Sequence, residues 1–470
     1  MSVMYLSTND IAKKVTRLVS AKVYWFGPRC PPSDVAKGQR LFELAGLNEC
    51  FREGDSVAIK IHCGEWNNTG YLRPSIVAGI VETVKEYGGD PFVCETTTCY
   101  LVSRGTGRDL IKTATRNGFT PQTLGCPFVV ADGALGLNEV RVPVKNGNFL
   151  KHTYIAEALA HADALIVLTH FKGHPEGVYG GALKNVGIGC SSKQGKSNVH
   201  LFQHPQWGLP AYEFYPDQCK GPECPVFKRC SENCPTGAFT VSPEQPYAHW
   251  DREKCIGCYE CGLRFACGVV VQPETSMMKT FFPAVIADAA KGYIDYVGRD
   301  HVGFINYAID ISPWCDCLPF SDASILPNLG VFASKDIVAL ETACLDASIK
   351  TPAIPGSKTY DEGIEGEPWR VGHEKFTHIM KLTRYGAPLS QWMTVNAAVK
   401  LGLGSADYEL IEATPGPPER YVQPRYRDHH PSYFTRKPFA IHKPRFEPDC
   451  YVADVTVTVE ELSGRPKTKG

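Results

Sequence analysis

The sequence predicts an α/β fold: a mostly parallel sheet with helices on both faces, an inserted small α+β module and an extended C-terminal arm. Three observations predict it. Apolar runs of strand length alternate with segments of helical spacing, the pattern of a parallel sheet wound from βαβ units. Eight of the 19 cysteines crowd between Cys219 and Cys267 and interrupt that alternation. From Pro415 the composition turns to Pro, Arg, His and aromatic residues, with too few aliphatics for a core. The chain of 470 residues therefore divides into body 1–208, insert 209–275, body 276–414 and arm 415–470.

Asp55 to Ile61 reads as a buried strand leading to His62, Cys63, Gly64 and Glu65. Arg73 to Tyr87 follows with helical spacing, Pro74 at a tolerated first-turn position and Gly88-Gly89 as the stop. Pro91 to Cys94 is the next strand and delivers Glu95 and a threonine run. Ile155 to Ala160 reads as helix, and Ala164 to Leu168 as a strand ending at Thr169 and His170. Beyond the insert, His301 to Ile309 and Gly330 to Ala333 read as strands. Ser334 to Ile349 reads as a helix capped by Ser334, with Asp336 in its first turn. In the arm, Tyr451 to Val459 alternates like an edge strand.

The insert carries the strongest chemical signal. Cys219, Cys224, Cys230 and Cys234 form one block, with Pro235 after Cys234; Cys255, Cys258, Cys261 and Cys267 form the second. Interleaved triads of this kind, with a Cys-Pro step, resemble the two-cluster bacterial ferredoxins, in which each 4Fe-4S cubane takes its fourth thiolate from the other block. That pattern assigns Cys219, Cys224, Cys230 and Cys267 to one cluster and Cys255, Cys258, Cys261 and Cys234 to the other. Zinc also accepts four thiolates at Cys-x2-Cys spacing, although zinc ribbons do not usually carry the interleaved arrangement. Lengthened gaps in block one, and five residues between Cys261 and Cys267, indicate longer loops than the plain motif.

Composition bounds the rest. A formal net charge of −1 argues against nucleic acid as a partner, and no run approaches twenty apolar residues, so a membrane span is not expected. The N-terminus shows no secretory pattern, and the cysteine density is below that of disulfide scaffolds; both point to reduced thiols in the cytoplasm, and oxygen-sensitive clusters to anaerobic metabolism.

Ligands of open α/β sheets bind beyond the carboxyl ends of the strands. The residues delivered there are Lys60, His62, Cys63, Glu65, Glu95, His170, Lys172, His174 and, through Asp310, Cys315-Asp316-Cys317. The glycine-rich stretch from Gly180 to Gly189, with Lys184, Cys190, Lys196 and His200, suits the cradling of an anionic group. Gly189 to Ser197 misses the nucleotide-binding P-loop by one residue and lacks a preceding strand, which argues against ATP hydrolysis. Cys315 and Cys317, one residue apart, suit one metal or a redox thiol pair, with Cys190 and Cys63 as candidates to complete a third site; small packing cysteines are the alternative. A disulfide between them would close a very small ring.

Ala182 to Cys190 with Lys196 and His200, the Cys315-Asp316-Cys317 triplet, Gly330 to Asp336, and Leu401 to Ser405 followed by Tyr408-Glu-Leu together resemble the domain-of-unknown-function family 362. Its members often carry ferredoxin modules, and the resemblance spans Val57 to Ile411. A second similarity is to the nickel-pincer lactate racemases, where a histidine, a lysine of a Gly-Gly-Ala-Lys run and a later histidine hold the cofactor. His174, Lys184 and His200 fall at comparable spacing, with Leu183 inserted into the run and no Pro-Gly after it. This resemblance implies kinship of fold, and nickel is not assigned from it.

The expectation is an oxidoreductase that passes low-potential electrons through two 4Fe-4S clusters to a substrate or cofactor in the α/β pocket. Lys60, His62, Glu95, His170, His174, Lys184 and His200 are the catalytic candidates. Lysines would hold an anionic small molecule, while a histidine or Glu95 would supply protons. Its partner would be a ferredoxin or a larger oxidoreductase, and the arm a surface for docking or for homo-oligomers. The competing expectation is a non-catalytic electron-transfer or maturation partner of a larger redox enzyme. No recognised flavin motif appears, and a flavin or third metal centre is left open.

Overall fold

The computed structural model describes residues 21–29, 32–99, 102–201, 213–234, 236–255, 261, 267–271, 277–361, 370–377 and 390–414. All of them belong to one compact unit. The arm from 415 and its expected strand at Tyr451 to Val459 lie outside the described residues, as do Cys258 and Pro235.

The body is built in chain order from β1 (Ala21–Phe26), α1 (Asp34–Leu44), β2 (Ser56–Lys60), α2 (Pro74–Glu86), β3 (Asp90–Glu95), α3 (Gly107–Arg116), β4 (Phe128–Val130), the hairpin β5 (Glu139–Pro143) and β6 (His152–Ala156), and β7 (Ala164–His170). A short hairpin follows, β8 (Lys172–His174) and β9 (Val178–Gly180), then α4 (Ala182–Gly187) and α5 (Lys193–Leu201). The insert holds β10 (Glu213–Phe214), α6 (Phe227–Glu232), β11 (Phe239–Val241), β12 (Ala248–Trp250) and β13 (Val270–Val271). The chain returns to the body through α7 (Met277–Val297), β14 (Val302–Ala308), β15 (Gly330–Ser334), α8 (Ile337–Ile349), α9 (Met393–Lys400) and β16 (Tyr408–Glu412).

Eight strands form one sheet in the order β16-β1-β15-β14-β7-β2-β3-β4. It is mostly parallel: β15 alone runs antiparallel to both of its neighbours. Its central strands β7, β14 and β15 are buried along their whole length because both faces are covered. Along β7, Leu165 and Val167 pack into the core beneath α4, α7 and α8, while Ala164, Ile166 and Leu168 pack into the core beneath α1 and α2. Within the insert, β10 pairs antiparallel with β13 and β11 with β12.

Two expectations need correction. Ile155 and Ala156 belong to β6, and only Glu157–Ala160 is helical. Pairing of Ile155 with Val140, and its bridge to Ser191, hold the chain extended there. The helix α8 begins later than expected, with Asp336 as its N-cap; Ser334 is the last residue of β15, paired with Phe304. Among the described residues no helix is long and apolar enough to cross a membrane.

Candidate functional site

Parallel strands β2, β3, β7 and β14 end on the same side of the sheet, and their ends present the chemistry. Lys60 and Glu95, at the ends of neighbouring strands, form an ion pair of 2.7 Å with both side chains almost wholly buried. Lys60 Nζ also donates to the Ile61 carbonyl and, at 3.1 Å, to Asn185 Oδ1, which ties the pair to α4. Burial opposes the charge of both groups, yet each outweighs it for the other: Lys60 stays above its usual range, and Glu95 falls to about 2 with His62 and Arg104 adding to the pull. Glu95 Oε2 has no hydrogen-bond partner among the described residues.

His170 is an anchor. Its Nε2 lies 2.9 Å from the Ile309 carbonyl, and its Nδ1 lies 3.0 Å from Asp316, which Lys172 also pairs with at 2.9 Å. Burial raises the Asp316 carboxyl, but Lys172 and His170 outweigh it and hold the group well below the usual carboxylate range. This triad, with Glu65 N–H donating to the Asp316 carbonyl at 2.8 Å, fixes the loop that carries Cys315 and Cys317.

Two histidines aim at Cys315 and are held alike. His62 Nδ1 accepts the Gly64 N–H at 3.1 Å; Gly64 sits at φ +77, and a Cβ there would meet the Tyr71 ring at 2.3 Å, so glycine makes the turn. His174 Nδ1 accepts the N–H groups of Glu176 (3.1 Å) and Gly177 (2.8 Å) from the β8–β9 turn. That turn places Val178 at φ +68, a conformation that costs a non-glycine residue about 1–3 kcal/mol and tends to cluster at functional sites. With Nδ1 accepting in both rings, the proton of each neutral imidazole sits on Nε2, and Cys315 acts on both rings against the effect of burial. Burial lowers both histidines; Arg104 adds to the effect at His62, and Lys184 at His174, which falls to about 4.

Cys315 Sγ also accepts the Cys317 N–H at 3.3 Å and hydrogen-bonds to the Cys317 thiol. Burial raises the Cys315 thiol, but Cys317, Lys184 and His174 outweigh it and hold it well below its ordinary value. Cys317 moves the other way, pushed up by its hydrogen bond to Cys315 and by burial. The donor atoms of His174, Cys315 and Cys317 all lie within 4.8 Å of one another, a spacing that one metal ion can bridge. Cys63 and Cys190 are not in that group; burial pushes each thiol to about 12, beside Glu95 and Lys60 respectively.

His200, on α5, pairs with Glu176 at 3.3 Å and stacks on Phe282 at 4.5 Å, with His174 at 6.4 Å from the same ring. Lys184, half-buried on α4, has no ion pair among the described residues. Lys196 is tied to Thr96 and Ser191, both at 2.6 Å, and burial lowers it to about 8.

In the insert, Cys230 is pushed up to about 11 by burial and then by Cys224, Cys267 and Cys219. The second block's Cys267 thus acts electrostatically on Cys230, as Cys224 and Cys219 of the first block do. Cys234 Sγ accepts the Phe239 N–H at 3.2 Å. Cys219, Cys230, Cys234 and Cys261 pack on an apolar cluster that contains Phe239, Val270 and Phe282.

Sequence reasoning did not single out Glu176 or Arg104. Glu176 was within reach of it, two residues beyond His174 in a turn; Arg104, paired with Glu65 at 3.0 Å, comes from an irregular segment with no periodic signal.

Residues 57–346 match the family described as "Domain of unknown function (DUF362)". A thylakoid-associated protein of Synechocystis sp. is 27% identical over 163 residues, which cover 34% of this chain and 46% of that protein. The chain thus spans about half the length of this curated relative. Lactate racemase apoprotein from Thermoanaerobacterium thermosaccharolyticum, a solved structure, is 11% identical with a TM-score of 0.37, covering 86% of this chain and 85% of that one.

Proposed function

We infer, for a chain that belongs to the DUF362 family, an iron–sulfur oxidoreductase that passes electrons through two 4Fe-4S clusters to a substrate or cofactor at the carboxyl ends of the sheet strands. Cys219, Cys224, Cys230 and Cys267 would hold one cluster; Cys255, Cys258, Cys261 and Cys234 would hold the other. Bound clusters of this type supply one-electron transfer.

The observation that carries the reading is the company Cys230 keeps: Cys224, Cys219 and, from the far end of the insert, Cys267. A zinc ribbon takes two thiolates from each of two Cys-x2-Cys blocks, whereas three from one block with one from the other is the split of a two-cluster ferredoxin. Phe282 supports the connection to the pocket, since it belongs to the apolar cluster beneath the insert cysteines and also stacks on His200. In the pocket, Lys184 would bind an anionic substrate, and His200, oriented by Glu176 at 3.3 Å, would move a proton.

Iron, acid-labile sulfide and zinc counted on protein purified without oxygen test the reading. About eight irons per chain are expected, falling to about four in Cys230→Ser. Stoichiometric zinc with no sulfide sinks it.

A further inference from the structure

Residues 315–318 form a turn that presents two sulfurs. The Leu318 N–H closes it onto the Cys315 carbonyl at 3.0 Å, and the Cys317 N–H donates to Cys315 Sγ at 3.3 Å. Asp316, between the cysteines, is engaged elsewhere. Its carboxylate meets His170 at 3.0 Å and Lys172 at 2.9 Å, and its carbonyl accepts the Glu65 N–H at 2.8 Å, so the turn is locked in place. Cys315 is 1% exposed and Cys317 is half-buried, which leaves one of the two sulfurs open to an incoming species. Both Sγ atoms and a ring nitrogen of His174 lie within 4.8 Å of one another. Cys63 and Cys190, which the sequence offered to complete a third centre, are absent from that group. Four thiolates for another cubane are therefore not brought together at this turn among the described residues.

We propose that Cys315 and Cys317, as thiolates, hold one thiophilic cation of the zinc class and leave part of its coordination sphere open. Thiolate ligands select such ions over magnesium or calcium. Binding sends the two thiol protons to solvent and changes no oxidation state. His174 stands beside the ion and is not its ligand. A ligating histidine gives the proton on its other ring nitrogen to an acceptor, whereas Nδ1 of His174 faces the N–H groups of Glu176 and Gly177. Its proton sits on Nε2, as a donor to a thiolate or to a molecule bound on the ion. A structural zinc takes four protein ligands; an ion with open positions is of the kind that meets a substrate. Lys184 acts electrostatically on both sulfurs and has no ion pair among the described residues, which favours an anionic donor at those positions. Lys172, by contrast, is already paired with Asp316.

The ion belongs to the pocket and the clusters to the insert, so each can fail without the other. Full-length protein prepared without oxygen is incubated with or without Zn2+, desalted, counted for zinc and iron, and treated with iodoacetamide, with modified cysteines mapped by mass spectrometry. Zn2+ is expected to slow alkylation of Cys317 about tenfold or more, and a chelator to restore it, because the ligating sulfur must be released first. Cys315→Ser and Cys317→Ser should each bind about one zinc per chain fewer than the native protein, with iron unchanged. His174→Gln should keep that zinc. Native Cys317 that alkylates at the same rate with and without Zn2+ overturns the proposal, and this result needs no variant to fold. So does a zinc count that Cys317→Ser leaves untouched, or one that falls in His174→Gln as it does in Cys317→Ser.

Discussion

At the scale of single residues, the Lys60–Glu95 pair sets the conditions under which the pocket holds together. Both groups are buried, and removal of one partner from such a pair leaves an uncompensated charge, at a cost of about 3–5 kcal/mol. Glu95→Gln is therefore expected to lose stability of that order in denaturant unfolding, well beyond an exposed acid such as Glu53. Because the folded carboxyl lies at about 2, below its ordinary 4.5, its contribution is fully present above pH 4.5 and is lost as pH falls towards 2. The acid limb of the stability profile should flatten in Glu95→Gln; an unchanged limb would show that other carboxylates dominate it. Much of this chemistry was legible in the sequence, since Lys60, Glu95 and His170 each end an apolar run and parallel strands end together. What each residue does was not legible. Both ring nitrogens of His170 are engaged by Asp316 and Ile309, and the Nδ1 contacts that define His62 and His174 come from backbone N–H groups in turns.

At the scale of elements, the start of α8 shows how pairing overrides a local signal. Ser334 and Asp336 are both good N-cap residues, and the serine comes first in the chain. Strand β15 keeps Ser334 extended through its pairing with Phe304 on β14, and the hydroxyl donates to the Lys22 carbonyl at 2.7 Å. The cap passes to Asp336, whose Oδ1 accepts Val338 and Ala339 N–H at 2.9 Å and whose Oδ2 accepts Ser405 N–H at 3.0 Å. One carboxylate thus closes the end of a buried helix and ties down the segment before β16. Asp336→Ala is expected to lower stability by about 1–2 kcal/mol, read as a fall in thermal midpoint, and Asp336→Asn by less. If Ser334→Ala costs more than Asp336→Ala, the cap is misassigned. The same contest explains β6: helical spacing from Ile155 to Ala160 was a fair local reading, but cross-strand pairing with β5 reaches Ala156.

At the scale of the whole molecule, the insert and the body differ in what holds them. Among the described residues, the two cores flanking the sheet contain none from the insert. The cluster beneath the insert takes Phe239, Ala248, Val269 and Val270 from it, while Val144, Leu150, Val199, Phe282, Val285, Ile286 and Ala289 come from the body. Among the described residues of the insert these four and Ala238 are the buried apolar ones, too few for a module of this size to fold unaided; scaffolds below about 70–80 residues generally need disulfides or metal. The sequence showed this asymmetry in advance, through cysteines where the rest of the chain has aliphatics. Stripping iron with a chelator under reducing conditions should therefore release the insert and spare the sheet. Limited proteolysis would then cut between Glu213 and Val271, while the far-UV circular dichroism of the body and its thermal transition persist. Loss of the body's transition together with the insert would mean that the two fold as one cooperative unit, with Phe282 and α7 carrying the coupling. Protease resistance unchanged by chelation would mean that the insert's order does not depend on its thiolates, and the iron–sulfur reading would lose its structural rationale.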